Sequence, residues 1–183
     1  MVIMFYIYLR ILMRTLLIVL FTVTSLLAIG EHTNTMQADF TQTITNDKNK
    51  TITYKGEMFV KRPSLALWHY IEPIEKSVYI NARSATIVEP ELEQAIVKRL
   101  DNNIDILAIL ASAKKESNNH YTAMYDDKTY LIEMKDKLIH SITYSDAFEN
   151  IVKITFRNQK INKKISDNTF NAVIPLDYDL IKD

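Results

Sequence analysis

Beyond Gly30, apolar and polar residues alternate with a period of two through most of the chain, which predicts half-buried β-strands. In Thr51–Lys61, Ile52, Tyr54, Gly56, Met58 and Val60 fall on one face, with Thr51, Thr53, Lys55 and Glu57 on the other. Thr129–Lys135 places Tyr130, Ile132 and Met134 together, and Asn150–Arg157 does the same for Val152, Ile154 and Phe156. In Leu138–Tyr144 the row is Leu138, Ile142 and Tyr144, with His140 among them. Shorter strands are expected at Gln37–Thr45, Leu65–Ile71, Ser77–Asn81, Ala85–Glu89 and Ala95–Leu100. Clusters such as Asn46-Asp47-Lys48-Asn49, Asp126-Asp127, Asp136-Lys137 and Ser166-Asp167-Asn168 separate them. Asn and Asp tolerate left-handed backbone, so they can turn a chain that has few glycines. The short links are of hairpin length, so the expected sheet is antiparallel and meandering.

One segment breaks the alternation. Ile104, Leu107, Ala108 and Ala111 recur at helical spacing, with Ile106 and Leu110 beside them. Asp101-Asn102-Asn103 offers caps in front, and Lys114-Lys115 suits a helix C-terminus. Asn103–Lys114 is therefore expected to form a short helix that either completes the core or lids a cavity.

The N-terminus has a different character. Met1–Gly30 has no acidic residue, and its charges are Arg10 and Arg14. The apolar run Thr15–Leu27 is thirteen residues long, whereas a spanning helix needs roughly 20 and a secretion-signal core about 7–15. Ala28 and Gly30 supply small residues at −3 and −1 of a cleavage site after Gly30. Residues 1–30 are expected to be a cleaved signal peptide, and 31–183 one exported domain with a core of ordinary size. Met4 and Met13 are further candidate starts. The alternative is a membrane anchor, with two arginines inside one long helix.

The whole chain has 22 basic and 22 acidic residues, so removing Arg10 and Arg14 leaves a net charge of −2. No basic cluster points to nucleic acid. The chain has no cysteine, so no disulfide or Cys metal site is available, and nothing could accept a lipid after the signal as in a bacterial lipoprotein. No metal-ligand spacing joins His32, His69, His120 and His140, and no phosphate loop or nucleophile motif is present. No catalytic residue, cofactor or metal is predicted. Arg62 stands out, because an unbroken strand would place it on the apolar face of Met58 and Val60. A guanidinium there needs partners, or it must snorkel to the rim where Pro63 ends the ladder.

From Ala38-Asp39-Phe40-Thr41-Gln42 through Tyr54-Lys55-Gly56, Lys61-Arg62-Pro63 and Leu67-Trp68-His69-Tyr70 to Ile174-Pro175-Leu176-Asp177-Tyr178, the chain resembles the LolA family, periplasmic carriers of outer-membrane lipoproteins. The resemblance implies an incomplete antiparallel β-barrel with a short α-helical lid. It puts Phe40, Tyr54, Met58, Val60 and Trp68 in a lipid-binding cavity, and Ile104, Leu107, Ala108 and Ala111 in the lid. Arg62 matches the family arginine that latches the lid through its backbone. The implied partners are acyl chains of lipoproteins, an inner-membrane Lol ABC transporter and an outer-membrane acceptor, with the carrier itself a periplasmic monomer.

The chain departs from the family pattern in two places. Only Glu31–Gln37 stands where an amphipathic helix usually precedes the F-x-Q strand, and Asn81-Ala82-Arg83-Ser84 replaces an Asp-Gly turn. A second reading is a periplasmic lipid-binding or envelope-assembly module with a filled barrel interior.

Overall fold

A computed structural model of the chain describes residues 32–100 and 105–182. The expected signal helix, Ile104 of the expected lid and the Asp101-Asn102-Asn103 caps lie outside the described residues.

The alternating segments form strands of one sheet: β1 (Thr35–Thr45), β2 (Thr51–Lys61), β3 (Leu65–Glu72), β4 (Lys76–Asn81), β5 (Ser84–Glu89) and β6 (Gln94–Arg99). After a helix, α1 (Ile106–Ala111), come β7 (Lys114–Ser117), β8 (His120–Tyr125), β9 (Lys128–Lys135), β10 (Leu138–Ser145), β11 (Ile151–Ile161) and β12 (Asp179–Lys182). The order across the sheet is β12-β6-β5-β4-β3-β2-β1-β11-β10-β9-β8-β7. Two meanders, β1–β6 and β7–β11, thus join through the long β1–β11 pair, which runs from Met36↔Ile161 to Thr45↔Ile151. All pairings are antiparallel except β12 with β6.

The sheet curls strongly. Strands β3 and β8 lie six places apart, about 29 Å in a flat sheet, yet Trp68 and Tyr125 line the same small cavity. The end strands β12 and β7 do not pair with each other, so the barrel stays open. Its concave face holds the core: Met36, Ala38 and Phe40 of β1, Met58 and Val60 of β2, Ile132 of β9, and Val152, Ile154 and Phe156 of β11.

The turns use the residues expected. Asp126 and Asp127 (φ 50° and 57°), and Asp136 and Lys137 (φ 51° and 64°), form two-residue hairpin turns in left-handed backbone. In the remodelled turn, Ala82 takes φ 50° and the Ser84 hydroxyl donates to the Asn81 carbonyl.

Three expectations need correction. The helix is half the predicted length: Asp105 caps it by accepting from the Ala108 amide, and Lys114-Lys115 starts β7 instead of ending the helix. In β10 a bulge lies between Ile139 and Ser141, opposite Met134 and Glu133. The extra residue, His140, switches the facing, so Ile139 is buried and Leu138 exposed before the bulge while Ile142 and Tyr144 keep the concave face after it. The parallel β12 adds a crossover to what was expected to be a pure meander.

Candidate functional site

Beneath α1 lies an apolar cavity of about 190 Å³. Ile106, Ile109 and Leu110 of α1 roof it, and Met58, Trp68, Ile132, Ile154 and Phe156 form its walls. Tyr125, Tyr130 and Tyr144 close one end. A larger groove of about 540 Å³ on the convex face, between Phe59, Leu67 and the C-terminal Val173–Tyr178 stretch, is shallow and mixed in polarity. The cavity under α1 is the better candidate, because its lining is almost wholly apolar whereas the groove mixes polar and apolar groups.

Of the residues expected to line the cavity, Met58 and Trp68 do so. Phe40 and Val60 are buried in the core that supports the wall. Tyr54 does not reach the wall. It sits near the start of β2, half-buried, with its ring edge-on to Tyr70 at 5.8 Å. In α1, Leu107 is fully buried, Ala111 half-buried, and Ala108 exposed on the outer side. The sequence carries two overlapping helical stripes, one through Leu107, Ala108 and Ala111 and one through Ile106, Ile109, Leu110 and Ala113. Leu107 of the first stripe and all of the second face the core, so of the roof only Ile109 was not singled out, because a helix apolar on nearly every side shows no preferred stripe.

The motif residues are interlocked behind the wall. Gly56 pairs with Phe40 on one side and Tyr70 on the other. A Cβ at Gly56 would stand 2.0 Å from the His69 carbonyl oxygen and 3.0 Å from the Phe40 ring. The absent side chain lets Phe40 pack edge-on to both Trp68 and Tyr70, each 5.1 Å between ring centres. The Tyr70 hydroxyl donates to buried Gln42 Oε1 at 3.0 Å, which ties the W-x-Y strand to the F-x-Q strand.

Arg62, just beyond β2, is half-buried. Its amide donates to the Asn34 carbonyl at 2.9 Å and its Nε to the Thr33 carbonyl at 2.8 Å. Nη2 donates to the Leu107 carbonyl of α1 at 3.1 Å. These carbonyls offset the desolvation of the guanidinium.

Burial raises the tyrosines' pKa values: Tyr70 is pushed up to about 12, chiefly by burial and then by Tyr144 and Tyr54. Tyr130 and Tyr144 are raised by burial first, then by neighbouring tyrosines and by Asp126 and Asp146 respectively. All therefore stay protonated at neutral pH. His69 Nδ1 shares a hydrogen bond with the Ser77 hydroxyl at 3.0 Å on the convex side. Among the described residues no cluster of three His, Asp or Glu side chains could hold a cation, and no helix is long and apolar enough to cross a membrane.

These features have counterparts in known proteins. The outer-membrane lipoprotein carrier protein of Campylobacter jejuni is 38% identical over 169 residues, covering 92% of this chain and 99% of that protein. The carrier of Wolinella succinogenes is 34% identical, covering 85% and 91%. A solved structure of an uncharacterized conserved protein from Thermus thermophilus shares the fold, with a TM-score of 0.51 at 8% identity over 82% of this chain and 91% of that one. The family model described as Outer membrane lipoprotein carrier protein LolA matches residues 31–137. The chain belongs to the LolA family of outer-membrane lipoprotein carrier proteins.

Proposed function

We propose that this protein is a periplasmic chaperone that takes the acyl chains of outer-membrane lipoproteins into the cavity under α1 and carries them across the periplasm. It would accept cargo from an inner-membrane Lol ABC transporter and hand it to an outer-membrane acceptor, working as a monomer and catalysing no reaction. The observation that carries this reading is an apolar cavity roofed by one short helix that Arg62 fastens by a hydrogen bond to the Leu107 carbonyl.

Size and energy favour a mobile roof. An apolar cavity of about 150 Å³ holds one benzene, so about 190 Å³ takes only part of a long acyl chain while α1 stays down. Exposing Leu107 and Leu110 on opening costs roughly 1.5–3 kcal/mol each, and a hydrogen bond from a charged donor adds about 1.5–3 kcal/mol. Burying an acyl chain of roughly fifteen carbons contributes on the order of 10 kcal/mol. Lid and cargo compete for one surface at similar strength, and that keeps loading reversible. In this account Arg62 is the latch, Met58 and Trp68 touch the chain, and Phe40 and Val60 hold the wall behind it.

The test is transfer. Inner-membrane vesicles carrying lipoproteins and the transporter should release a soluble complex with this protein, and acceptor-bearing membranes should then take up the cargo. With Arg62→Leu, transfer should fail at loading or release while the sheet stays folded. Normal transfer by the variant would remove the latch, and no soluble complex with the wild type would remove the carrier reading.

A further inference from the structure

The cavity has one end of different chemistry. Tyr144 pairs with Val152, which pairs in turn with Ile44 of β1, and Ile44 faces Ile52 of β2. Lys61, next to Arg62, lies nine residues farther along β2, about 30 Å by strand rise. Tyr130 sits beside Tyr144 on β9, with the two rings 5.1 Å apart and tilted by 40°. Both are partly exposed and both line the cavity. Tyr70 commits its hydroxyl to Gln42, but among the described residues the hydroxyls of Tyr130 and Tyr144 make no hydrogen bond. Two neighbouring tyrosines at the mouth of an apolar cavity give an apolar body inward and a polar tip at the edge.

We propose that the hydroxyls of Tyr130 and Tyr144 bind the neutral carbonyl through which an ester- or amide-linked acyl chain joins its polar head. This deepens the carrier reading and rests on it, since it assigns the part of the ligand that follows the hydrocarbon. An acyl chain filling the apolar wall has its carbonyl as the first polar atom to reach the rim. A phenol is protonated at neutral pH and can donate to that oxygen. The surrounding charges favour a neutral head over an anionic one. Asp126 acts on Tyr130 and Asp146 on Tyr144, so a free carboxylate at the same place would meet like charge. The nearby cations are otherwise engaged: Lys128 acts on Asp146, and the Lys76 ammonium lies over the Tyr54 and Tyr70 rings at 5.3 and 4.7 Å.

The experiment uses three brominated probes of equal chain length: a fatty-acid methyl ester, the free fatty acid at pH 8, and a bromoalkane without a carbonyl. Each is titrated into the full-length mature protein, and binding is read as quenching of Trp68. The double variant Tyr130→Phe/Tyr144→Phe keeps both rings, and the two single variants carry the same test if the double variant folds poorly. Comparing variant with wild type for each probe cancels that probe's own cost of leaving water. The ester should lose about 10-fold in affinity on replacing both hydroxyls, and the bromoalkane less than about 2-fold, as expected for one to two hydrogen bonds. The wild type should also bind the ester more tightly than the carboxylate. Equal losses for ester and bromoalkane, or an unchanged ester affinity, would overturn the proposal. If none of the probes quenches Trp68 in the wild type, the carrier reading fails and the proposal falls with it.

Discussion

The Arg62 guanidinium donates to the main-chain carbonyl of Leu107, 45 residues farther along the chain, at 3.1 Å. The same side chain holds the Thr33 carbonyl beside the start of β1. One residue at the end of β2 thus binds the helix that roofs the cavity and the segment that enters the central strand. Because the acceptors are backbone carbonyls, the connection depends on where α1 lies rather than on which side chains it carries.

Replacing Arg62 should therefore loosen α1 selectively. In Arg62→Leu, exchange of the Ile109 and Ser112 amides should accelerate about 10- to 100-fold, the equivalent of one charge-assisted hydrogen bond. Amides of the β1–β11 pair should be unaffected. Arg62→Lys keeps the charge without the planar fork and should fall between the two. Hydrogen exchange followed by mass spectrometry or NMR measures this, and equal acceleration throughout the sheet would mark Arg62 as a general stabiliser.

Gly56→Ala should cost about 3 kcal/mol or more in urea unfolding, because the new Cβ falls 2.0 Å from the His69 carbonyl oxygen and the β2–β3 pair must part to admit it. The Phe40 ring is the lesser obstacle at 3.0 Å. Adding Phe40→Leu should therefore not restore the lost stability, and full rescue would show that the ring sets the requirement for glycine.

Alkali should weaken the fold through Tyr70. Its phenol titrates near 12 when folded, against about 10 in an unfolded chain. The unfolded state alone ionises between these values, so this contribution is fully present below pH 10 and is lost as pH rises to 12. The loss should be about 2–3 kcal/mol. Tyr70→Phe should reduce that decline without abolishing it, since Tyr130 and Tyr144 are shifted in the same direction. At pH 8 the variant should be less stable by about 1–3 kcal/mol, because Gln42 Oε1 loses its donor. Urea midpoints at pH 8, 10 and 11.5 provide the check.

Lys137 holds φ 64° in the two-residue turn between β9 and β10. Left-handed backbone costs a side-chain-bearing residue roughly 1–2 kcal/mol, partly offset by the greater freedom glycine brings to the unfolded chain. Lys137→Gly should raise stability by about 0.5–1 kcal/mol, visible as a higher Tm. A lower Tm would mean that the lysine side chain contributes more to the native turn than its backbone strain removes.

The strands and turns were legible in the sequence wherever alternation ran unbroken, as in Thr51–Lys61, whose bounds match β2. Strand β8 escaped notice because its inward set, Tyr121, Ala123 and Tyr125, has a small residue at its centre while Met124 points to solvent. The bulge at His140 could not be seen either, since the row was projected through a register that the structure breaks. At the site, Met58, Trp68 and Arg62 were visible from the motifs. Ile106 and Leu110 were noted only beside the expected stripe and Ile109 not at all, because α1 is too short and too uniformly apolar to reveal its inward side. The rim tyrosines appeared only as strand residues, although the β9–β10 register that pairs Ile132 with Ile142 also carries Tyr130 opposite Tyr144.

Trp68 is the chain's single tryptophan, and it lines the cavity. That makes quenching of its fluorescence by a diacylated lipopeptide with bromine at mid-chain the most direct measurement of the carrier account. The account predicts saturable quenching by the brominated lipopeptide, none from its unbrominated twin, and competition between the two. Trp68 emission indifferent to the brominated chain, with the lipopeptide nonetheless bound, would place the cargo elsewhere and contradict it.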